Sequence, residues 1–366
     1  MMDLNLHLIS LKMLKTIKSN ECILCNCNSY NLIIDDVYPF KKNYKNISCK
    51  NCGLTKIHPF PKMDVLRDHY KNYRKNTIGI EVPTLNYESD ALINANYHYS
   101  FFREYLKSKS TILDVGCGAG TLLSCAVKDG HKAYGVNPDP GFAKYGVKNY
   151  GIKNMQICMF EDAKFNNIEF DMITFNHVFE HFIDPISTLI KVWNLLKEKG
   201  YLYLSIPDNL SPHGQLEYNY FDEHIYTYDI TTIENLLKIV GFKIIKFSNY
   251  GITMENNKRH PWIDLVAVKS KPEYVNKESL KENGQKVIKE INNYKKRFEI
   301  NHGKIRLKLG IISFKLNQRM NNQKKTNLFY RILNKVINKF AYFQDDYCGP
   351  SIYKDFPKEK VIYKNI

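Results

Sequence analysis

Two cysteine pairs and one glycine-rich turn are the places in this sequence where residue type and spacing could do chemistry. "CILC" and "CKNC" set Cys22, Cys25, Cys49 and Cys52 in a C-x2-C…C-x2-C arrangement, with 23 residues between the pairs. Two such turns can offer four thiolates tetrahedrally to Zn2+, in a closed site that is structural because no coordination position stays open. Disulfide pairing and iron are the alternatives, and Cys27 adds a neighbouring thiol that could compete as a ligand. The second place is "TILDVGCGAGTLL", Thr111 to Leu123, where a short apolar strand runs into Gly116, Cys117, Gly118 and Gly120. A dinucleotide fingerprint would need glycine at 121, which is Thr121, and no Gly-Lys-Ser/Thr follows, so the P-loop reading fails as well. Asp114, two residues before the first glycine, suits a ligand whose nearby group is cationic better than a pyrophosphate.

Such a turn needs a strand before it and a helix after it, and the surrounding sequence supplies both repeatedly. "TILDV", "KAYGV", "MQICMF", "FDMITFNHV" and "GYLYLSIP" read as strands, separated by helical stretches such as "GTLLSCAVKDG" and "DPISTLIKVWNLLKEKG". Short, nearly continuous apolar strands alternating with helices predict an α/β, Rossmann-like, mostly parallel sheet of seven strands covered on both faces. "GFKIIKFSNY" and "PWIDLVAVKS" are its antiparallel closing strands. Ligands bind outside the carboxyl ends of such strands. Asn137 follows the second strand, where a side chain reaches ribose hydroxyls, and Glu161 and Asp162 follow the third, where an adenine amino group could be met. Asn176 and His177 end the fourth.

With these residues assembled, "LDVGCGAG", "GVNPDP", "ED" at 161–162 and "FDMITFNHVFEHFIDPISTLIKVWNLLKEKGYLYLSIPDN" resemble the class I S-adenosylmethionine-dependent methyltransferases over about residues 110 to 270. The resemblance implies S-adenosyl-L-methionine as cofactor and a methyl transfer that needs alignment of nucleophile and methyl group above all. The family places an acid where this chain has Asn137, so an asparagine carbonyl, with Asp139 nearby, stands in for a carboxylate. A hydroxyl acceptor also needs a base, and the candidates are His181 in "HVFEH" and the neighbours Glu223 and His224 in "YFDEHIYTYD". Adjacent residues of an extended segment point apart, so Glu223 and His224 need not pair. The tyrosines at 218, 220, 226 and 228 could stack on a sugar ring or simply pack.

The amino-terminal cysteines, the "HYKNY" segment and the "EH" at 223–224 together resemble enzymes that methylate sugars in bacterial surface-glycan and antibiotic pathways. Members that methylate carbon on nucleotide-linked keto sugars carry a further domain opening on "HGGS"; here the chain reads "NYGITMENNKRHPWIDL". The resemblance therefore implies O-methylation of a nucleotide sugar or surface-polysaccharide unit, with C-methylation as the alternative. The remaining alternatives are an RNA methyltransferase and a zinc-ribbon interaction protein whose methyltransferase domain has lost activity. The fourth strand lacks an Asn/Asp-Pro-Pro-aromatic block, which speaks against a base N-methylating enzyme.

Composition bounds the rest. Of the chain's formal +16, +14 lies between Lys269 and Phe340, where 19 lysines and arginines face five acids. Four segments follow: an N-terminal helix and ribbon (1–60), a linker with lead-in helices (61–108), the methyltransferase domain (109–270) and a basic, mainly helical region (271–366). The last is expected to be a solvated helical face, or to meet an anionic membrane surface, or to attract a phosphate-bearing or nucleic-acid substrate. No apolar run approaches ~18 residues and no cleavage site follows the start, so neither a spanning helix nor a signal peptide is expected. Nine cysteines, an odd number, point to a reducing cytoplasm, with the inner membrane face as a peripheral location.

Overall fold

Aspartates mark the helix starts. Asp139 and Asp184 each precede a proline, whose missing N–H and fixed φ suit the first helical position. Asp139 Oδ1 accepts the Gly141 N–H at 3.0 Å and Asp184 Oδ1 accepts that of Ser187 at 3.0 Å. Asp229 and Thr232 bond each other's backbone reciprocally, a capping box. Between these caps the strands are buried on both faces, as β7 below shows.

The computed structural model describes residues 21–35, 44–211, 220, 223–253, 259–260, 262–275 and 277–302. In chain order the elements are β1 (Tyr30–Ile34), β2 (Lys45–Cys49), β3 (Thr55–His58), α1 (Met63–Lys71), α2 (Tyr73–Ile78), α3 (Leu85–Phe102), β4 (Thr111–Val115), α4 (Thr121–Lys128), β5 (Lys132–Val136), α5 (Pro140–Tyr150) and β6 (Asn154–Gln156). There follow β7 (Phe170–Asn176), α6 (Pro185–Leu195), β8 (Leu196–Pro207), β9 (Tyr226–Thr227), α7 (Ile230–Val240), β10 (Phe242–Ser248), β11 (Ile252–Thr253), β12 (Arg259–His260), β13 (Trp262–Lys269) and α8 (Lys277–His302). The expected helix in residues 1–20, Tyr218 and the basic stretch from 303 onward lie outside the described residues.

The main sheet has seven strands in the order β10-β13-β8-β7-β4-β5-β6. From β8 to β6 the neighbours are parallel, and β13 runs antiparallel to both β8 and β10. This is the expected Rossmann-like, mostly parallel sheet with its closing strands. One boundary differs from expectation. The helix read through "LLKEKG" stops at Leu195, because Leu196 turns extended, is fully buried and pairs with Phe170. Tertiary pairing here outweighs the helical propensity of Lys-Glu-Lys.

A second sheet joins the cysteine turns to the loop after β8. Its order is β1-β2-β3-β9, all antiparallel, with Thr55 opposite Thr227 and Lys56 opposite Tyr226. Ile57 N–H donates to the Ile225 carbonyl at 3.0 Å, and Asn209 Nδ2 donates to Thr55 Oγ1 at 3.0 Å. Helix α8 closes over the same region. Asn283, buried, donates to the Cys52 carbonyl at 2.8 Å and reaches Asp229, while a side chain at Gly284 would collide with the carbonyls of Lys50 and Asn51. The residues that follow β8 are therefore held from three sides. Among the described residues no helix is long and apolar enough to cross a membrane.

Candidate active site and cysteine cluster

The first parallel strand, β4, delivers the glycine turn to the carboxyl edge of the sheet, beside the ends of β5 and β7. Gly116 adopts φ +71° and Gly118 φ +55°, both in the left-handed region that disfavours side chains. A Cβ on Gly116 would stand 2.5 Å from Val178 Cγ2, whereas one on Gly118 would meet nothing within 4 Å. A side chain at 118 would instead occupy the cavity that opens there. That cavity, about 320 Å³, is lined by Gly116, Gly118, Asn137, Asp139, Glu161, Asn176 and His177 from the sheet edge. Tyr70, Tyr73, Arg74 and Phe142 line it from the helices, and His181 and Phe182 stand at the loop after β7.

Most of the residues expected at a cofactor meet here, with two turned elsewhere and two placed differently. Asp162 faces outward and pairs with Arg67, whose guanidinium holds its carboxyl below the usual range; burial instead pushes its neighbour Glu161, which lines the cavity, upward. Cys117 directs its thiol to Met155 Sδ at 3.4 Å. Gly120, at the start of α4, donates its N–H to the Cys117 carbonyl at 2.7 Å and closes the turn. Asp114 is buried beneath the turn, where Thr174 Oγ1 donates to it at 2.7 Å.

The environment of Asn137 and Asn176 fits a polar ligand. Asn137 donates through Nδ2 to the Asp139 carbonyl at 3.0 Å, which turns its Oδ1 away from that bond. Asn176 Oδ1 is buried and takes no hydrogen bond from the described residues, a deficit that a ligand donor would make good. His177 holds φ +51°, donates its N–H to the Ser205 carbonyl at 2.8 Å and rests edge-on against Trp262. Trp262 is fixed in turn by Asp264, which also accepts from Tyr97 at 2.6 Å and Tyr203 at 2.7 Å.

Burial pushes the Asp114 carboxyl up to about 7. An acid whose folded pKa exceeds its unfolded one favours the fold fully at low pH, and that share is lost as pH rises through about 7. Asp114→Asn, which keeps the Thr174 bond, is expected to raise the melting temperature at pH 8 and leave it nearly unchanged at pH 4. Calorimetry at the two pH values checks this; equal shifts at both would refute it.

At the far end of the cavity the polar groups converge. Glu223 Oε1 lies 3.0 Å from His69 Nε2, and the Glu223 carbonyl accepts from His181 Nδ1 at 2.6 Å. Glu223 and His224 do not pair with each other: His224 points its Nε2 at Glu180 Oε1, 3.9 Å away. Burial raises the Glu180 carboxyl, but His177, His181 and His224 around it outweigh this and hold it below its ordinary value. His181, like His177, lines the cavity, while His224 stands behind His181 with the two rings 5.3 Å apart. Tyr220, Tyr226 and Tyr228 are fully buried packing residues.

Reading the sequence alone missed His69, Tyr70, Tyr73 and Arg74 as parts of this site. The available signal was "HYKNYR" itself, a cluster of rings in a segment otherwise polar. Its meaning depends on contact with Glu223, 154 residues away.

The four expected cysteines also come together. Cys22 Sγ lies 3.4 Å from Cys52 Sγ and Cys25 Sγ 3.5 Å from Cys49 Sγ, and all four sulfurs fall within 4.8 Å of one another. Tetrahedral Zn2+ with bonds of about 2.3 Å separates its sulfurs by roughly 3.8 Å, so the donor set fits. Cys27 stays outside, its thiol turned to the Ser29 backbone.

Residues 90–246 match the family model of a methyltransferase domain. A S-adenosylmethionine-dependent methyltransferase from Methanosarcina mazei is 16% identical, with 47% of this chain and 98% of that one covered and a TM-score of 0.39. The magnesium protoporphyrin IX methyltransferase of Synechocystis, solved with S-adenosylmethionine, is 16% identical over 57% of this chain and 96% of that one, with a TM-score of 0.40. A Burkholderia thailandensis N1-methyltransferase of 1,6-didemethyltoxoflavin is 14% identical over 64% and 99%, with a TM-score of 0.43. No curated protein matches the sequence.

Proposed function

We propose that this chain, whose residues 90–246 match the model of a methyltransferase domain, is an S-adenosylmethionine-dependent enzyme that methylates a hydroxyl of a sugar or glycan, such as a nucleotide sugar or a surface-polysaccharide unit. The observation that carries the reading is the junction of two environments in one cavity. One end has the glycine turn with Asn137, Glu161 and Asn176; the other has His181 backed by Glu223, His69 and His224. The cofactor, when bound, supplies an activated methyl group. Gly116 and Gly118 admit it closely, Asn137 and Asp139 stand where ribose hydroxyls are met, and Glu161 stands where the adenine is met. The acceptor lies beyond, and its proton passes to the histidine–glutamate cluster.

Tyr70 and Tyr73 offer ring faces and hydroxyls at that end, which suits a sugar. Among the described residues Arg74 is the one lysine or arginine lining the cavity, and its guanidinium stacks on Tyr73 and Phe142, which does not suit a polyanion. The cysteine cluster, read as a structural Zn2+ site, holds the acceptor loop through β3 and β9. The test is mass spectrometry of nucleotide-sugar pools and surface polysaccharide with and without the gene. Loss of one methyl group from a sugar supports the reading, and NMR of the product separates an O-methyl from a C-methyl group. Unchanged sugars together with methylated RNA would replace it.

A further inference from the structure

We propose that Glu180, His181 and His224 bind a divalent transition-metal cation at the acceptor end of the cavity, an inference that rests on reading that end as the acceptor site. Glu180 is 1% exposed, and among the described residues neither of its carboxylate oxygens takes a hydrogen bond. Leaving a buried carboxylate in that state is costly. The partners that surround it explain why a cation resolves the cost. His181 Nδ1 lies 2.6 Å from the Glu223 carbonyl oxygen, which can only accept, so Nδ1 carries the proton. In the neutral ring Nε2 then presents a lone pair to Glu180 Oε1, 3.9 Å away. His224 Nε2 faces the same oxygen, also at 3.9 Å.

The His181 lone pair and the Glu180 carboxylate, with His224 Nε2 facing the same oxygen, converge at separations too long for hydrogen bonds with one another and form a donor set. The three ligand atoms lie within 4.8 Å of one another, and metal bonds of about 2.0–2.2 Å on each side span the two 3.9 Å gaps to Glu180 Oε1. Two imidazoles with one carboxylate suit first-row divalent ions, and a ligating histidine whose other N–H donates to a backbone carbonyl is the common supporting arrangement. His177 Nδ1, 3.8 Å from Glu180 Oε1, stands at the rim of the cavity as a further nitrogen. This site is separate from the cysteine cluster, whose four thiols form a closed set.

The cation's chemical use follows from where His181 sits. An acceptor hydroxyl bound to the ion becomes more acidic. Its proton leaves to the Glu223–His69 pair, the oxygen lone pair forms the bond to the methyl carbon, and the carbon–sulfur pair returns to sulfur. The products are a methyl ether and S-adenosylhomocysteine, with no change of oxidation state.

The test titrates Co2+ into the full-length, zinc-loaded protein and reads the visible spectrum and bound metal. One additional equivalent is expected, with d–d bands and no intense thiolate charge transfer. Glu180→Gln and His181→Asn are each expected to weaken it about tenfold or more, while Glu180→Gln keeps its affinity for S-adenosylmethionine. No Co2+ bound by the wild-type protein beyond the thiolate site overturns the proposal, as does unchanged binding in both variants; the wild-type stoichiometry and His181→Asn decide it if Glu180→Gln does not fold. Because metal binding is read without acceptor, Co2+ bound by a protein that methylates no sugar supports this site while defeating the sugar reading. Sugar methylation by a protein free of the second metal does the reverse.

Discussion

Replacing Cys49 and Cys52 together with serine is expected to abolish methyl transfer while S-adenosylmethionine binding falls far less. Structural zinc in small finger domains contributes about 10–16 kcal/mol of apparent folding free energy. Whole domains are stable by only about 5–15 kcal/mol. Read as a zinc site, the described part of Glu21–His58, whose buried apolar residues beside the cysteines are Leu24, Ile33, Leu54 and Ile57, loses its turns once two of four thiolates are gone. The loss spreads because β3 is the hydrogen-bonding neighbour of β9. Thr55 receives Asn209, and the Cys52 carbonyl receives Asn283 of α8. Glu223 and His224 sit three and two residues before β9, so they lose their register when the pairing does. The carboxyl edge of β4, β5 and β7 keeps its own parallel ladder. The measurements are metal content, calorimetric titration with S-adenosylmethionine and turnover, with hydrogen exchange at Tyr226–Thr227 as a direct probe of the pairing. A variant lacking one zinc equivalent but retaining full turnover would show that the ribbon does not position the acceptor loop.

That coupling also marks the limit of what the sequence discloses. The glycine turn, the strands around it and the ends of β5 and β7 are legible because each is a local pattern. Apolar runs, Asp-Pro caps and left-handed glycines act over a few residues, and a parallel sheet has one way to arrange them. The pairing of Cys22, Cys25, Cys49 and Cys52 was legible for a similar reason, since C-x2-C spacing is itself a turn. What joins distant segments was not. Nothing in "TKIH" marks it as a partner for Tyr226–Thr227, because a two-residue strand has no periodicity to read. His69 gains meaning only from Glu223, and Glu180, beside His177 and His181 in its own segment, gains its third histidine only from His224, 44 residues away. The helix read through Gly200 fails in the same manner: Leu196 is claimed by Phe170, which lies before it in the chain and out of any local window. Acids also look alike in sequence. Glu161 and Asp162 are neighbours, yet Asp162 pairs with Arg67 outside while Glu161 lines the cavity.

His224→Ala is expected to lower turnover by on the order of 10²–10⁴-fold, the loss typical when a proton-transfer site is disabled, with the S-adenosylmethionine dissociation constant changed by no more than a few-fold. The asymmetry follows from position. His224 is 8% exposed and does not line the cavity, so it touches no cofactor surface directly. Its Nε2 faces Glu180, which His181 also faces, and His181 reaches the cavity wall. Removing the imidazole leaves Glu180 with one fewer neighbour able to balance its buried charge, and it frees the His181 ring to move. A purely structural histidine would behave differently: its loss would lower the melting temperature and weaken cofactor and acceptor binding together. Turnover, both dissociation constants and the melting temperature must therefore be read on the same preparation. Glu223→Gln supplies the contrast, because it keeps the backbone carbonyl that orients His181 Nδ1 while removing the charge beside His69. If the geometry is used as described, Glu223→Gln lowers turnover without disturbing the orientation of His181, and the double variant with His224→Ala loses less than the product of the two single losses, because residues acting as one unit are non-additive. Full turnover in His224→Ala would remove this residue from the reaction, and strictly multiplicative losses would separate the two groups into independent roles.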